Sequence, residues 1–455
     1  MPMTNAAARD TGTPAGMAVL VAACLSTLVV NANTSAVSIL LPAISEDTGS
    51  SIETLQWAVT GYSLVGAAVI VTSGALADVF GRRLLFLLGI ALFVASCVLI
   101  ALSTSGAGVI IGRCIQGASG ATILASGLSL ISVAASGEEE TRAVALWGAA
   151  SAVGAAIGPL VGGVLVDATG WQGLFWLDAV IALVCVPVAL RGIQESNDPN
   201  RSRSIDYLGT VLVAAVLVPI IYGMTKATDW GWISLPTLGM FALSAVAAVL
   251  FVRVESRVAA PLIDLALLRN ITLIGSTIAI LIGAGTINGL GYLLSIYFQN
   301  PAVLDMSALQ AGLATLPMTI GLVAVTPLVP KLSVSLGTRQ TIALGFLLSG
   351  AGFLVLAFVQ DSWIYLYFVI PIVAVAVGMG LSNGPATAAS TSCVSEEQVG
   401  SASGISNMAR YVGAAVAVAA VSSIYFSVGN ANESDASAAD LADGLRWACV
   451  LLAMA

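Results

Sequence analysis

Three charged residues, Arg113, Asp178 and Arg410, fall inside long apolar runs. Placing a guanidinium in hydrocarbon costs at least roughly 2.5–3.5 kcal/mol on insertion scales, so each arginine needs a polar partner or a wet cavity. An aspartate in the same setting can bind and release a proton. Arg113 lies about two turns into its run, with Gln116, Gly117 and Gly120 at helical spacing on the same face. Arg410 lies about 15 Å into another run by helical rise, with Asn407 on its i−3 face. Asn288, Tyr292, Tyr297 and Gln299 add polar and aromatic groups to a further run. They suit the wall of a pocket, although an interfacial aromatic belt explains Tyr297 equally well. A fourth cluster, GALADVFGRR from Gly74 to Arg83, reads as a loop between two apolar stretches. Its glycines, Gly74 and Gly81, permit a sharp reversal. Asp78 can pair near a helix end, while Arg82 and Arg83 suit the positively charged side of a bilayer.

Other chemistry is excluded by what the chain lacks. It contains no histidine, so the commonest general base and metal ligand is missing. The cysteines at 24, 97, 114, 185, 393 and 449 show no CxxC spacing, which indicates neither a metal site nor a disulfide framework. No paired acids or Ser/His arrangement sits at membrane depth, so we expect no enzyme, no catalytic residue and no cofactor. The run of Glu138 to Glu140 reads as a solvated loop. A formal charge of -8 without a basic run argues against nucleic acid.

The elements that carry these residues are membrane spans. Of 455 residues, 58% are hydrophobic and 9% charged, against about a quarter charged in soluble domains. Runs long enough to cross about 30 Å of hydrocarbon lie near 17–41, 55–77, 84–103, 107–134, 143–166, 172–190, 207–225 and 233–252. Others lie near 271–298, 307–330, 340–359, 363–389 and 400–427, and a shorter one starts near 441. The expectation is thirteen full spans and a truncated fourteenth. Of the 16 lysines and arginines, all but Lys226, Arg446 and the two intramembrane arginines fall on one side. Placing that side in the cytoplasm puts the N-terminus inside.

A weak duplication organises the spans. LADVFGRRLLFLLGIAL at 76–92 matches LSVSLGTRQTIALGFLL at 332–348, pairing Gly81 with Gly337, Arg83 with Arg339 and Gly89 with Gly345. Val334 stands where the first copy has Asp78. VGAA at 153–156 recurs at 412–415. Both offsets carry a span eight positions along, which predicts an all-α integral membrane fold of two six-helix bundles with two inserted helices. We read 1–16 as a cytoplasmic tail, 17–190 as the first bundle and 191–206 as a linker. Residues 207–252 form the inserted pair, 253–270 a second linker, and 271–455 the second bundle with its last span incomplete.

On these residues the chain resembles the major facilitator superfamily, and within it the fourteen-span drug:proton antiporters. GALADVFGRR resembles the superfamily's cytoplasmic gate motif. IGRCIQGASGA (111–121) resembles the fourth-span motif, with Arg113, Gln116 and Gly117 in place. GAAIGPLVGG (154–163) resembles the fifth-span antiporter motif GxxxGPxxGG, carried by Gly154, Gly158, Pro159, Gly162 and Gly163. APLIDLALLRN (260–270) and GSASGISNMARYVG (400–413) resemble further stretches of the fourteen-span branch. The resemblance implies two parallel halves that alternate access around a central site, as such transporters do. It implies multidrug or antibiotic efflux of small amphipathic compounds from a bacterial cell membrane, by a monomer whose partners are the substrate, the bilayer and, as an open question, protons. The alternatives are export or flipping of a lipid or natural product, and a membrane sensor that transports nothing.

One departure bears on coupling. Asn33 stands where the family pattern has an aspartate nine residues before a proline, here Pro42. Asparagine cannot titrate, so the expectation is weak or absent proton coupling. Asp178, where the family tends to have asparagine, supplies an acid in the sixth span, as a coupling group or as half of a structural pair. The resemblance implies that this span flanks the bundle.

Overall fold

The computed structural model describes residues 14–135, 137–196, 206–258, 261–395, 398–431 and 436–455. Residues 1–13 of the expected tail and 197–205 of the expected linker lie outside this description. Among the described residues, thirteen helices are long and apolar enough to cross a membrane. The first six are α1 (Pro14–Thr48), α2 (Ile52–Phe80), α3 (Arg82–Ala101), α4 (Gly106–Ala134), α5 (Glu138–Thr169) and α6 (Gln172–Gly192). They pack on one another, α1 against α5 and α6, α4 against α2 and α3, and α3 against α6. Short connections suffice because serines cap the helix starts: Ser51 accepts from the Thr54 amide and Ser105 from that of Gly108.

Next come α7 (Tyr207–Trp230) and α8 (Leu235–Glu255). α7 packs against both α2 and α15 (Val399–Val428), and α8 packs on α7. Leu243, Val246, Val249 and Leu250 of α8 are exposed, an apolar outer surface that suits lipid.

The second set begins with α9 (Ile271–Gln299) and ends with α13 (Thr338–Leu356), α14 (Tyr365–Ser392), α15 and α16 (Ala438–Met454). Between α9 and α13 the single run expected at 307–330 is broken into α10 (Ala308–Ala314), α11 (Leu316–Val325) and α12 (Val329–Ser335), with a 3-10 turn at Thr326–Leu328. Pro317, Pro327 and Pro330 stand at the starts of the three later pieces, where a residue without an amide hydrogen restarts a helix easily and continues one poorly. α16 opens on a capping box between Ser437 and Asp440.

The duplication read from the sequence reappears in the packing. Gly81 joins α2 to α3 at φ +122°, and Gly337 joins α12 to α13 at φ +90°; both conformations favour glycine. Gly154 of α5 lies so close to α1 that a side chain would strike the Leu28 carbonyl, and Gly413 of α15 stands in the same relation to Leu281 of α9.

The two sets meet along two seams, α2 against α15 and, towards the ends of α5 and α9, α1 and α5 against α9 and α10. Ser295 Oγ donates to the Ser38 carbonyl at 2.6 Å, and Gln299 Nε2 to that of Ile39 at 3.2 Å. Ser307 Oγ donates to Asp167 Oδ2 at 3.2 Å. Beside them α5 and α10 touch backbone to backbone. A Cβ on Gly163 would lie 2.5 Å from the Ala308 carbonyl oxygen, and one on Gly312 would lie 2.5 Å from that of Pro159.

Candidate functional site

A cavity of about 240 Å³ lies between the two sets of helices, near the middle of α1, α5 and α9. Its volume falls a little below the usual range of ligand pockets, about 300–1,000 Å³. From α1 it takes Asn31, Thr34, Ser35 and Ser38, from α5 Ala155, Ala156 and Pro159, and from α9 Asn288, Gly291 and Tyr292. Thr315 and the α11 residues Met318, Thr319 and Leu322 complete much of the opposite wall. The lining residues include hydroxyls, amides, a phenol and aliphatic surface but no ionisable acid or base other than that phenol. Such a wall offers hydrogen bonds to a neutral, partly apolar molecule and no counter-charge to an ionic one.

Tyr292 and Asn288 thus stand where a pocket role requires. Tyr292 and Ser422 are 3.3 Å apart through their hydroxyls, and Ser422 donates to Gln56 of α2 at 2.6 Å, so the phenol is tied to both sets of helices. Tyr297 is buried against Phe298 and Phe368, which removes it from an interfacial aromatic belt. Gln299 serves the closed end described above.

Arg113, Gln116, Asn33 and Asp178 come together behind this wall, all fully or almost fully buried. Arg113 Nε donates to the Ala58 carbonyl at 2.9 Å, and Nη1 donates to Asn33 Oδ1 at 2.5 Å and to the Gln116 amide oxygen. Asn33 in turn donates through Nδ2 to Asp178 Oδ2 at 2.6 Å. The guanidinium carbon sits 4.3 Å above the Tyr62 ring, a cation–π placement. The glycines that share Arg113's face make this possible. Side chains on Gly117 and Gly120 would strike the Tyr62 carbonyl and hydroxyl respectively. Asp178 therefore faces α1, from an outer helix expected only to flank the bundle.

Asn31, Thr34, Ser35 and Ser38 follow the i, i+3, i+4, i+7 pattern of one helical face. Asn33 lies on the other side of α1. That stripe was legible in the residues alone, yet reading outward from charged groups passes over it.

The gate cluster is helix, and not the loop expected. α2 runs through Gly74 and Asp78 to Phe80, and Gly81 alone makes the turn before α3 begins at Arg82. Nothing before Gly81 breaks a helix, and a bend needs only one residue at positive φ. Arg82 pairs with Asp78 at 3.0 Å, one turn away, while Arg83 Nη2 donates to the Leu190 carbonyl at 2.8 Å. Glu195, which the sequence reading missed, accepts from the Arg83 and Leu84 amides at 3.1 and 3.0 Å. A carboxylate is favoured at such a helix start. A Cβ on Gly81 would lie 2.6 Å from that carboxyl, so the turn and its anion need glycine there. Val334, the counterpart of Asp78, is exposed.

Arg410 finds a polar partner in Thr387 of α14, donating at 2.5 Å, and Asn407 donates to Ser403. Neither lines the cavity. Asp206 and Glu255 form a second buried acidic site, where α7 begins and α8 ends. A Cβ on Gly209 would lie 2.6 Å from a carboxylate oxygen of each.

The sequence model of the Major Facilitator Superfamily matches residues 23–418, most of the chain. The chain belongs to the Major Facilitator Superfamily. It is therefore a multi-pass membrane protein of a transporter family. Among relatives in this superfamily, the tetracenomycin C resistance and export protein of Streptomyces glaucescens is 31% identical over 73% of this chain, an alignment that spans 61% of that protein. The cephamycin export protein CmcT of Amycolatopsis lactamdurans is 30% identical over 90% of this chain and 85% of its own. The multidrug efflux pump LfrA of Mycolicibacterium smegmatis is 30% identical over 88% and 79%. A crystal structure of the peptide transporter POT with sulfate shares the superfamily fold, at a TM-score of 0.70, 15% identity and coverage of 96% and 93%.

Proposed function

We propose that this chain exports small, neutral, amphipathic organic compounds across a bacterial cell membrane by alternating access. The observation that carries this reading is the uncharged cavity between the two sets of helices, placed behind an end where they already touch. With the N-terminus in the cytoplasm, as the placement of arginine and lysine favours, the touching end is the outer one. The cavity then loads from the cytoplasm or the inner leaflet. The names of the tetracenomycin C and cephamycin relatives favour natural products as cargo within this class, while that of LfrA favours a broader range. On this reading, the Asp78–Arg82 pair and the Gly81 turn hold the cytoplasmic ends of α2 and α3 in one of the two access states.

The wall can be tested at Gly291. A Cβ there finds only Met318 Cε, at 4.0 Å, so a larger side chain would project into the cavity without displacing backbone. Gly291→Leu is expected to preserve expression and thermal stability while lowering efflux of a neutral dye such as Nile red at least tenfold. Wild-type efflux from a stable Gly291→Leu variant would show that substrate passes elsewhere.

A further inference from the structure

We propose that Asp178 is the proton-binding group of this transporter, and that its charge state is read by the second set of helices through Arg113, Tyr62 and Tyr411. This deepens the export reading and rests on it for its functional meaning.

The geometry has three parts. The first is the amide between the charges. Asn33 donates to Asp178 at 2.6 Å and accepts from Arg113 at 2.5 Å, which uses both ends of one side chain. An aspartate paired directly with a guanidinium holds its charge tightly. An interposed amide keeps the two charges in communication but leaves the carboxylate free to gain and lose a proton. Asparagine at position 33 thus becomes the bridge to an acid on α6.

The second part is isolation. α6 packs against α1, α3 and α5. The ionisable groups felt at this site are Arg113 from α4, Cys97 from α3 and Tyr62 from α2, while α1 contributes Asn33. The charged residues of α5 (Glu138, Glu139, Glu140, Arg142 and Asp167) lie towards its two ends. Among the described residues, Arg113 is therefore the cation positioned to register a change at Asp178, and its Nη2 has no hydrogen-bond partner among them.

The third part is the path out. Arg113 lies over Tyr62, and the Tyr62 ring centroid is 6.4 Å from that of Tyr411 on α15. Tyr411 fits because Gly66 of α2 has no side chain; a Cβ there would lie 2.6 Å from the Tyr411 ring. The guanidinium thus rests on an aromatic pair that joins α2 to α15, across the two sets of helices. Protonation of Asp178 removes the negative charge that Asn33 relays and leaves the buried guanidinium uncompensated. Its response moves Tyr62 against Tyr411. It also moves α1, whose opposite face, Asn31 to Ser38, lines the cavity. Proton and substrate would then act on two faces of one helix.

Infrared titration of the detergent-solubilised full chain tests the proton site without any substrate. A carboxyl band that titrates in the wild type should vanish in Asp178→Asn and shift in Asp178→Glu. If no titrating band is lost in a folded Asp178→Asn variant, the proposal is overturned. Proteoliposomes loaded with Nile red or with the neutral dye N-phenyl-1-naphthylamine test the coupling. An imposed pH gradient should raise the wild-type rate tenfold or more, and that ratio should fall to about one in Asp178→Asn and in Tyr411→Leu. A ratio unchanged in either variant would overturn the proposed route. If the band titrates but neither dye moves, the export reading fails while Asp178 stands as a proton site.

Discussion

Gly163→Leu is expected to abolish transport. A Cβ at this position would lie 2.5 Å from the Ala308 carbonyl oxygen and 2.7 Å from Leu309 Cα. Both are backbone atoms, which cannot swing aside as a side-chain tip can. Gly312 makes the reciprocal approach to Pro159, so α5 and α10 must separate to admit a side chain at either position. Overpacking of this kind typically costs about 1–3 kcal/mol, and each 1.4 kcal/mol is about tenfold in a population. The cost falls on the state in which this end is closed, and spares the state in which it is open. Labelling of a cysteine placed at Ser38 should therefore rise as transport falls. Gly148 on the same helix has nothing within 4 Å of an added Cβ, so Gly148→Ala should transport normally. Transport at the wild-type rate by Gly163→Leu would show that the α5–α10 seam is dispensable.

Arg113→Ala is expected to cost more in stability than any other single change at the buried relay. The guanidinium is fully buried and satisfies the Ala58 carbonyl, Asn33 and Gln116 at once. Its removal takes the buried donor from the Ala58 carbonyl, Asn33 and Gln116, at about 1–3 kcal/mol for each group left unsatisfied, and removes the cation that faces the Asp178 carboxylate through Asn33. It also empties the space above Tyr62. Thermal unfolding in detergent should show a drop of many degrees, with reduced yield in membranes. Arg113→Lys keeps the charge but not the planar fork of donors, and should fall between. The double variant Arg113→Ala with Asp178→Asn should recover part of the loss, because the carboxylate that lost its cation is gone. Strict additivity of the two single changes would mean that Asp178 and Arg113 do not sense each other.

Apolar run length and glycine spacing made the fold legible in the sequence. The expected thirteen spans depend on a pattern that the bilayer imposes locally. The paired glycines at 81 and 337, and at 154 and 413, kept their meaning because each answers to a backbone constraint that recurs in both sets of helices. What failed was the reading as loop of the gate cluster and of Glu138 to Glu140, which form the first turn of α5. Charge and glycine suggested a turn, but a helix tolerates both, and only Gly81 has to leave it.

The site was partly legible. Arg113, Gln116, Asn33 and Asp178 were singled out separately, on cost of burial or departure from a pattern. That Asp178 turns inward to meet the other three was not foreseeable, because it depends on which face α6 turns towards α1. The neutral stripe on α1 carried a plain helical period but no charge to attract notice. Glu195 was invisible for a related reason: its role exists only once the start of α3 is placed beside it.

The central claim is that substrate crosses by exchange between a state closed where α1 meets α9 and a state open there. The most direct measurement is transport by a variant lacking the six native cysteines and carrying cysteines at Ser38 and Ser295, before and after treatment with a short reducible thiol cross-linker. These positions touch in the closed end, where Ser295 Oγ donates to the Ser38 carbonyl at 2.6 Å. The account predicts that cross-linking reduces dye efflux from proteoliposomes to background and that reduction restores it. Efflux that continues in fully cross-linked protein would contradict it.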